Sequence, residues 1–229
     1  MREIVLDTET TGLDPRDHRI VEIGAVELVN HVRTGRDYHV YINPARSMPA
    51  EAFRVHGLGD AFLARQPRFA EIADAFLAFI AEAPLVIHNA AFDMGMINAE
   101  LRRLGRDALP DERAVDTLKI AKRKFPGAQA NLDALCKRFG VDNAGRTKHG
   151  ALLDSELLAD VYLELMGGRQ RGLSLDAGQG KATGPRDAVA LRPRPKPLAP
   201  RLTEAEAEAH AAFVADLGEA PLWRRLDGG

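Results

Sequence analysis

The chain has 229 residues, 45% of them hydrophobic and 28% charged, with 31 Lys plus Arg against 33 Asp plus Glu for a formal net charge of −2. This is the composition of an ordinary globular protein, long enough for one domain of about 150 to 200 residues plus an appendage, and its charge balance nominates no partner. Cys136 is the sole cysteine and sits in the apolar context LDALCKRF, which excludes an intramolecular disulfide and favours a reducing compartment. No stretch approaches the roughly 18 apolar residues of a membrane span, so a cytoplasmic protein without a membrane partner is expected.

REIVLDTET at the N-terminus is rich in β-branched and apolar residues and runs into TGLDP, whose Gly and Pro mark a loop, so it is predicted as a strand. HRIVEIGAVELVN and RDYHVYINP predict two further strands, the last stopped by Pro44; short connections suggest an antiparallel meander. From Phe69 to Ala83 the pattern turns helical, with Phe69, Ile72, Ala73, Phe76, Phe79 and Ile80 on one face. PLVIHNAAFD then gives a short strand, LVIH, followed by a helix through Leu104. RAVDTLKIAKRKF, NLDALCKRFG and the HGALLD segment supply the remaining helical turns. Strands first, then alternation, argue for a mixed sheet covered by helices.

After Met166 the composition changes. Residues 167 to 200 are dominated by Gly, Pro, Ala, Arg and Lys, and five of the 13 prolines lie between Pro185 and Pro200, as expected of a disordered linker with a stiff, Pro-rich end. Residues 203 to 217, TEAEAEAHAAFVADL, are predicted as a helix whose bulky contacts are only Phe213, Val214 and Leu217. A helix of that length is marginal alone, and folding on a partner is expected.

Chemistry concentrates in the carboxylates. Asp7 and Glu9 are two residues apart on the first strand and share a face, where they repel each other unless a cation lies between them. The plain alternative is a solvated strand face. Asp93 shares the core-facing stripe of its helix with Ile97, Leu101 and Leu104; its plain alternative is a helix N-cap. Asp154 projects into the apolar stripe of Leu153, Leu157, Leu158, Val161 and Leu165, where an unpaired charge is costly. Four carboxylates from three elements, all aimed inward, are explained economically by a hard, oxygen-preferring Mg²⁺ or Mn²⁺. The single cysteine excludes a thiolate site, and a scattered Asp/Glu set without a His pair argues against structural zinc. His149 adds a group able to accept a proton near neutrality, as a general base must; its plain alternative is an exposed loop histidine beside Gly150.

DTETTG at 7 to 12, HNAAFD at 88 to 93 and H-x-x-x-x-D at 149 to 154 resemble the three exonuclease motifs of the DEDDh family. VHGL at 55 to 58, the KFPG turn, NLDALC at 131 to 136 and KHGALLD resemble the proofreading branch of that family found in bacterial replicative DNA polymerase III. The resemblance covers residues 1 to 168. It implies an α/β, ribonuclease-H-like domain with a mixed five-stranded sheet flanked by helices, and removal of nucleotides from a DNA 3′ end. It also implies two divalent cations, Mg²⁺ or Mn²⁺: Asp7, Glu9 and Asp154 as ligands of one, Asp7 bridging to the second, and Asp93 on the second. His149 would deprotonate the attacking water. Thr10, Thr11, Gly12 and Leu13 follow the first motif; Gly12 lets backbone approach the terminal nucleotide and Leu13 wedges against its base. By the same resemblance Glu51 and His56 contact the terminal sugar or base, while Val55, Asn89 and Phe92 line the pocket, with plain core packing the alternative for Val55 and Phe92. The basic run Lys119, Lys122, Arg123, Lys124, Lys137, Arg138, Arg146 and Lys148 leads to His149 and suits a phosphate-tracking rim, a solvated face being the alternative.

Beyond the domain, 169–202 is the expected flexible linker and 203–229 the expected polymerase-binding tail. In QRGLSL (170–175), Gln170, Leu173 and Leu175 match the spacing of peptides that dock on the bacterial sliding clamp. The resemblance implies that the tail binds the polymerase III alpha (polymerase) subunit, with Phe213 and Trp223 as apolar contacts, and leaves room for a small accessory subunit. Two alternatives stand beside this reading: a free-standing exoribonuclease of the same family, and a mainly structural replisome subunit bridging clamp and polymerase.

Overall fold

The computed structural model describes residues 1–145, 148–168 and 202–216. The chain divides into two units, Met1–Ser174 and Leu175–Gly229. In the first, β1 (Arg2–Thr10), β2 (Ile20–Val29) and β3 (Val32–Tyr41) form the antiparallel meander the sequence predicts, and β4 (Leu85–Ile87) and β5 (Ala114–Asp116) add to the other side in parallel. The five-stranded sheet has the order β3-β2-β1-β4-β5.

Both faces of the central strands are covered, which is why β2 is buried from Ile20 through Leu28 rather than alternating. On one face Ile4, Leu6, Ile23, Leu85 and Ile87 pack against α3 (Phe69–Ile80) and α4 (Ala90–Arg103) through Phe69, Phe76, Met94, Ile97 and Leu101. On the other, Val5, Val26, Leu28 and Val86 meet α7 (Ala151–Leu165) through Leu158, Ala159 and Tyr162. Helices α5 (Thr117–Lys124) and α6 (Leu132–Phe139) pack outside α7 around Leu135, the buried Cys136, Leu157 and Val161. Each large aliphatic or aromatic side chain so buried contributes about 1.5 to 3 kcal/mol, so the two faces together hold β1 rigidly in the middle.

Three features depart from the expectation. Residues 114–116, assigned above to helix, form β5, because Val115 pairs with Val86 and Asp116 with Ile87 before α5 begins; the Asp116 side chain caps α5 by accepting from the Leu118 and Lys119 N–H groups. Two short helices, α1 (Ala50–His56) and α2 (Asp60–Leu63), occupy a stretch to which the apolar pattern assigned nothing. Leu104, placed above on a core-facing stripe, is the residue after α4 and is 36% exposed. In the second unit, α8 spans Glu204–Asp216 and has no buried residue, in keeping with the marginal helix expected there. No helix among the described residues is long and apolar enough to cross a membrane.

Candidate active site

The site exists because β1 outruns its neighbour. β4 pairs with β1 only at Ile4↔Leu85 and Val5↔Val86, so residues 7 to 10 of β1 continue past the end of β4, leaving a crevice at the carboxyl ends of parallel strands. The Thr8 N–H, left without a β4 carbonyl, donates to Asp93 Oδ1 at 3.0 Å, and Thr8 Oγ1 donates to the same oxygen at 2.7 Å. Asp93 is buried on the first turn of α4; the residue that caps that helix is Asn89, in left-handed backbone at φ 67°. The capping role that Asp93 might take by sequence is therefore not the one it has.

The opposite face of β1 carries Asp7 and Glu9 toward α7. Asp7 is opposite Gly24 and Glu9 opposite Glu22 on β2, with the register shifting at Glu9/Thr10 in the manner of a β-bulge. Gly24 lets α7 approach: a Cβ there would stand 2.2 Å from the Ala151 carbonyl carbon and from the Leu152 nitrogen. Ser155 Oγ donates to the Gly24 carbonyl at 2.9 Å and fixes the helix in that position. Asp154, on the preceding position of α7, is thereby buried beside Glu9, and His149 Nδ1 lies 3.2 Å from Asp154 Oδ2. Among the described residues, Glu9, His149 and Asp154 form a group whose ligand-type atoms all lie within 4.8 Å of one another. Asp7 and Asp93 line the cavity that Glu9 and His149 also line. All four carboxylates and the histidine thus meet at one place, from β1, α4 and the start of α7. The solvated strand face is not what Glu9 occupies, since it is 8% exposed.

Burial chiefly drives the Glu9 carboxyl up to about 8; nearby His149 opposes the rise, while Asp154, Glu22 and Asp93 add to it. Asp93 is pushed up to about 7 by burial, against the pull of the Thr8 hydrogen bonds. Carboxylates forced together out of water in this way are what a divalent cation relieves, and their oxygens are the donors that hard cations prefer. Glu22 is itself buried and is held by His39, whose Nε2 lies 2.7 Å from Glu22 Oε1.

The cavity, about 680 Å³, is lined by Thr10, Thr11, Gly12, Leu13, Glu51, Val55, His56 and Phe92, all named from the sequence. Asn89 is not among its lining residues. Leu13 is 82% exposed and Val55 46%, so neither is core packing, whereas Phe92 packs against the apolar cluster beneath. His56 is buried; its Nδ1 accepts from the Leu58 N–H at 3.1 Å, which leaves Nε2 as the protonated nitrogen, and burial lowers its pKa. The His149 N–H donates to the Val55 carbonyl at 3.3 Å, tying α1 to the segment that precedes α7. Gly12 has a structural use as well: a Cβ there would stand 2.3 Å from the ring of His18, which hydrogen-bonds Thr11 Oγ1 at 3.0 Å.

Sequence reasoning missed Gly24, Ser155, Glu22 and His39. Glycine inside an otherwise apolar strand was the available signal for Gly24, since it marks close backbone approach. The basic run divides: Lys124 donates to the Leu165 carbonyl at the end of α7, Arg138 stacks on Phe125, and Lys148 lies over Phe53 beside the site. Arg146, Gln170, Leu173, Leu175, Leu217 and Trp223 lie outside the described residues; Phe213 is 61% exposed on α8.

A ribonuclease-H-like sheet with Asp, Glu, Asp, Asp and His gathered at the end of its central strand defines the class of DEDDh 3′→5′ exonucleases, which work with divalent metal ions. The family model described as "Exonuclease" matches residues 4–162. The chain is 58% identical over 179 residues to the DNA polymerase III subunit epsilon of Rickettsia conorii, covering 76% of this chain and 78% of that one. It is 44% identical to the subunit of the same name from Escherichia coli, over 97% of each chain. Among solved structures, the nuclease domain of 3'hExo, described as a DEDDh family member bound to rAMP, shares the fold at TM-score 0.63 and 17% identity, over 72% of this chain and 91% of that one. Exonuclease X in complex with 5′ overhanging duplex DNA does so at TM-score 0.56 and 24% identity, over 71% and 90%. The chain belongs to the exonuclease family and, within it, to the epsilon subunits of DNA polymerase III, which are proofreading 3′→5′ exonucleases.

Proposed function

We propose that the chain removes mismatched nucleotides from a DNA primer 3′ end as 5′-mononucleotides, with Asp7, Glu9, Asp93, Asp154 and His149 as its catalytic set. The observation that carries the reading is the meeting of four carboxylates from three elements with His149 3.2 Å from Asp154. Asp7, Glu9 and Asp154 would hold one divalent cation, Mg²⁺ or Mn²⁺, and Asp93, with Asp7 bridging, a second. When bound, such a pair stabilises charge on the attacking and the leaving oxygen of an in-line displacement.

The protein's own groups supply the rest. His149 Nδ1, 3.2 Å from Asp154 Oδ2, donates its proton to that carboxylate, which fixes the tautomer in which Nε2 carries the lone pair that takes a proton from the attacking water. The new P–O bond forms as the bond to the preceding 3′ oxygen breaks, and that oxygen takes its proton from solvent. Thr10 Oγ1 is committed to the Gly12 carbonyl at 2.8 Å, so Gly12 and Leu13 present a fixed turn against the terminal nucleotide. Glu51 and His56 address its sugar or base, and Val55 and Phe92 provide apolar wall. A frayed mismatch costs less to unpair than a matched end, which gives selectivity without reading sequence.

Residues 1–168 are assigned to this chemistry, 169–202 to a linker and 203–229 to a tail for the polymerase (alpha) subunit, with Phe213 and Trp223 as contacts. Gln170, Leu173 and Leu175 are assigned to the sliding clamp. The relative from Escherichia coli, alignable over 97% of both chains, supports a shared use of the tail. The test is 3′-end digestion of matched DNA, mismatched DNA and RNA of one sequence, with Mg²⁺, with Mn²⁺ and with chelator. Mismatched DNA should be cut fastest and chelator should stop it; faster cutting of RNA would instead establish the exoribonuclease.

A further inference from the structure

Beside the catalytic cavity lies a second one, about 550 Å³, lined by Arg16, Asp17, Arg19, Arg46, Ser47 and Arg103. The two share a single loop. Leu13, Asp14 and His18 face the catalytic cavity, while Arg16, Asp17 and Arg19 face the other. Loop residues 13 to 19 therefore form a ridge with an exposed leucine on one flank and guanidinium groups on the other.

The arginines are of two kinds. Arg19 and Arg103 build the wall: Arg19 grips the buried Glu100 through Nε at 2.7 Å and Nη2 at 2.8 Å, and Arg103 Nη2 donates to the Pro15 and Arg16 carbonyls at 2.7 and 3.1 Å. They hold the ridge to α4. Arg16 pairs with Asp14 and remains 86% exposed, and Arg46 donates to the Asp17 carbonyl from an exposed position. Arg16, Arg19 and Arg103 thus pair with two carboxylates, Asp14 and Glu100, while Arg46 is held by the Asp17 backbone carbonyl, and Arg16 and Arg46 face solvent on the far side of the ridge.

We propose that this arginine-lined cavity binds a backbone phosphate of the complementary strand, on a substrate whose 3′-terminal strand lies in the catalytic cavity. The inference rests on the proofreading reading of the site. A strand drawn into the catalytic cavity has left its partner, and the partner must pass the opposite flank of the structure that separates them. That ridge carries the apolar Leu13 on the side of the unpaired bases and Arg16 on the other, where Arg46 stands against it through the Asp17 carbonyl. Guanidinium groups match phosphate geometry, and phosphate contacts position a nucleic acid without reading its sequence.

The test uses the full-length chain with Arg16→Gln and Arg46→Gln combined, because neither side chain is in the catalytic set. Binding of a single-stranded oligonucleotide and of a primer–template with a mismatched 3′ end is measured by fluorescence anisotropy in Ca²⁺, alongside cleavage of the single strand in Mg²⁺. The expected result is primer–template affinity weakened on the order of three- to tenfold, with a salt slope shallower by about one to two counterions. Single-strand affinity and cleavage should stay within about twofold. Equal weakening for both substrates would place the contact on the strand being cut and overturn the proposal, as would unchanged binding of both. Arg46→Glu checks the sign: repulsion should weaken primer–template binding further than Arg46→Gln. Loss of single-strand cleavage in the parent chain would instead overturn the proofreading reading itself.

Discussion

His149 and Asp154 are joined by a 3.2 Å contact between Nδ1 and Oδ2, and they meet although the histidine side chain is 48% exposed and the carboxylate 4%. The buried partner is fixed and the exposed one is aimed by it. His149→Ala should leave Mn²⁺ affinity within about tenfold of the parent while lowering kcat about 10²- to 10⁴-fold, the usual contribution of a positioned base. Calorimetry and single-turnover kinetics check the two halves. Normal turnover near pH 8 would remove His149 from the role.

Asp7→Ala should abolish binding of both cations, since Asp7 is assigned as the bridging ligand, and cleavage should drop to background. The measurement is Mn²⁺ titration by calorimetry; unchanged stoichiometry and affinity would refute the bridge.

Without metal, the site should make the protein less stable as pH rises. Glu9 titrates at about 8 in the fold against an ordinary 4.5, and Asp93 at about 7 against 3.8. Between those limits the native state keeps protons that the unfolded chain has released, so this contribution is full below about pH 4 and is lost as pH climbs toward 8. In chelator, Tm is expected to fall by several degrees more from pH 5.5 to 8.5 for the parent than for Glu9→Gln. Added Mn²⁺ should raise the parent's Tm most at the upper end. Parallel pH profiles for parent and variant would contradict the assignment.

Gly24→Ala should separate α7 from the sheet. The added methyl meets helix backbone, which has no rotamer to yield, so a loss of about 1 to 3 kcal/mol or more is expected together with a fall in kcat. Ser155→Ala introduces no clash but removes the donor to the Gly24 carbonyl that holds α7 there, for about 1 to 3 kcal/mol. Urea unfolding of both, with activity measured on the folded fraction, tests this. An unperturbed Gly24→Ala enzyme would mean that α7 does not depend on that approach.

Deleting residues 169–229 should spare cleavage of single-stranded DNA and end co-purification with the polymerase subunit. Continued co-purification would move the docking surface onto the exonuclease domain.

Much of this was legible in the sequence where the periodic signal was long. The three meander strands, α3, α4 and α7 each offered enough residues for apolar spacing to speak, and Asp154 stood out because it broke such a spacing. β5 was not legible: three residues, half-buried, leading straight into a helix, have no period of their own and become a strand only by pairing with Val86 and Ile87. α1 was hidden for another reason. Its Phe53 and Val55 are 43% and 46% exposed, and Val55 lines a cavity rather than a core, so they mark no buried stripe. Glu22 carries no signal of its own in the sequence, because only the β1–β2 register reveals that it lies opposite Glu9.

The docking of α7 on Gly24 joins residues 131 apart in the chain. A ribosome that has made β1, β2 and α4 has therefore made a polypeptide that carries Asp7, Glu9 and Asp93 and still lacks Asp154 and His149. Nuclease competence is then expected as a late and all-or-none event of synthesis, with no cutting fragment released along the way, so a cell that degrades unfinished chains need not protect its chromosome from them.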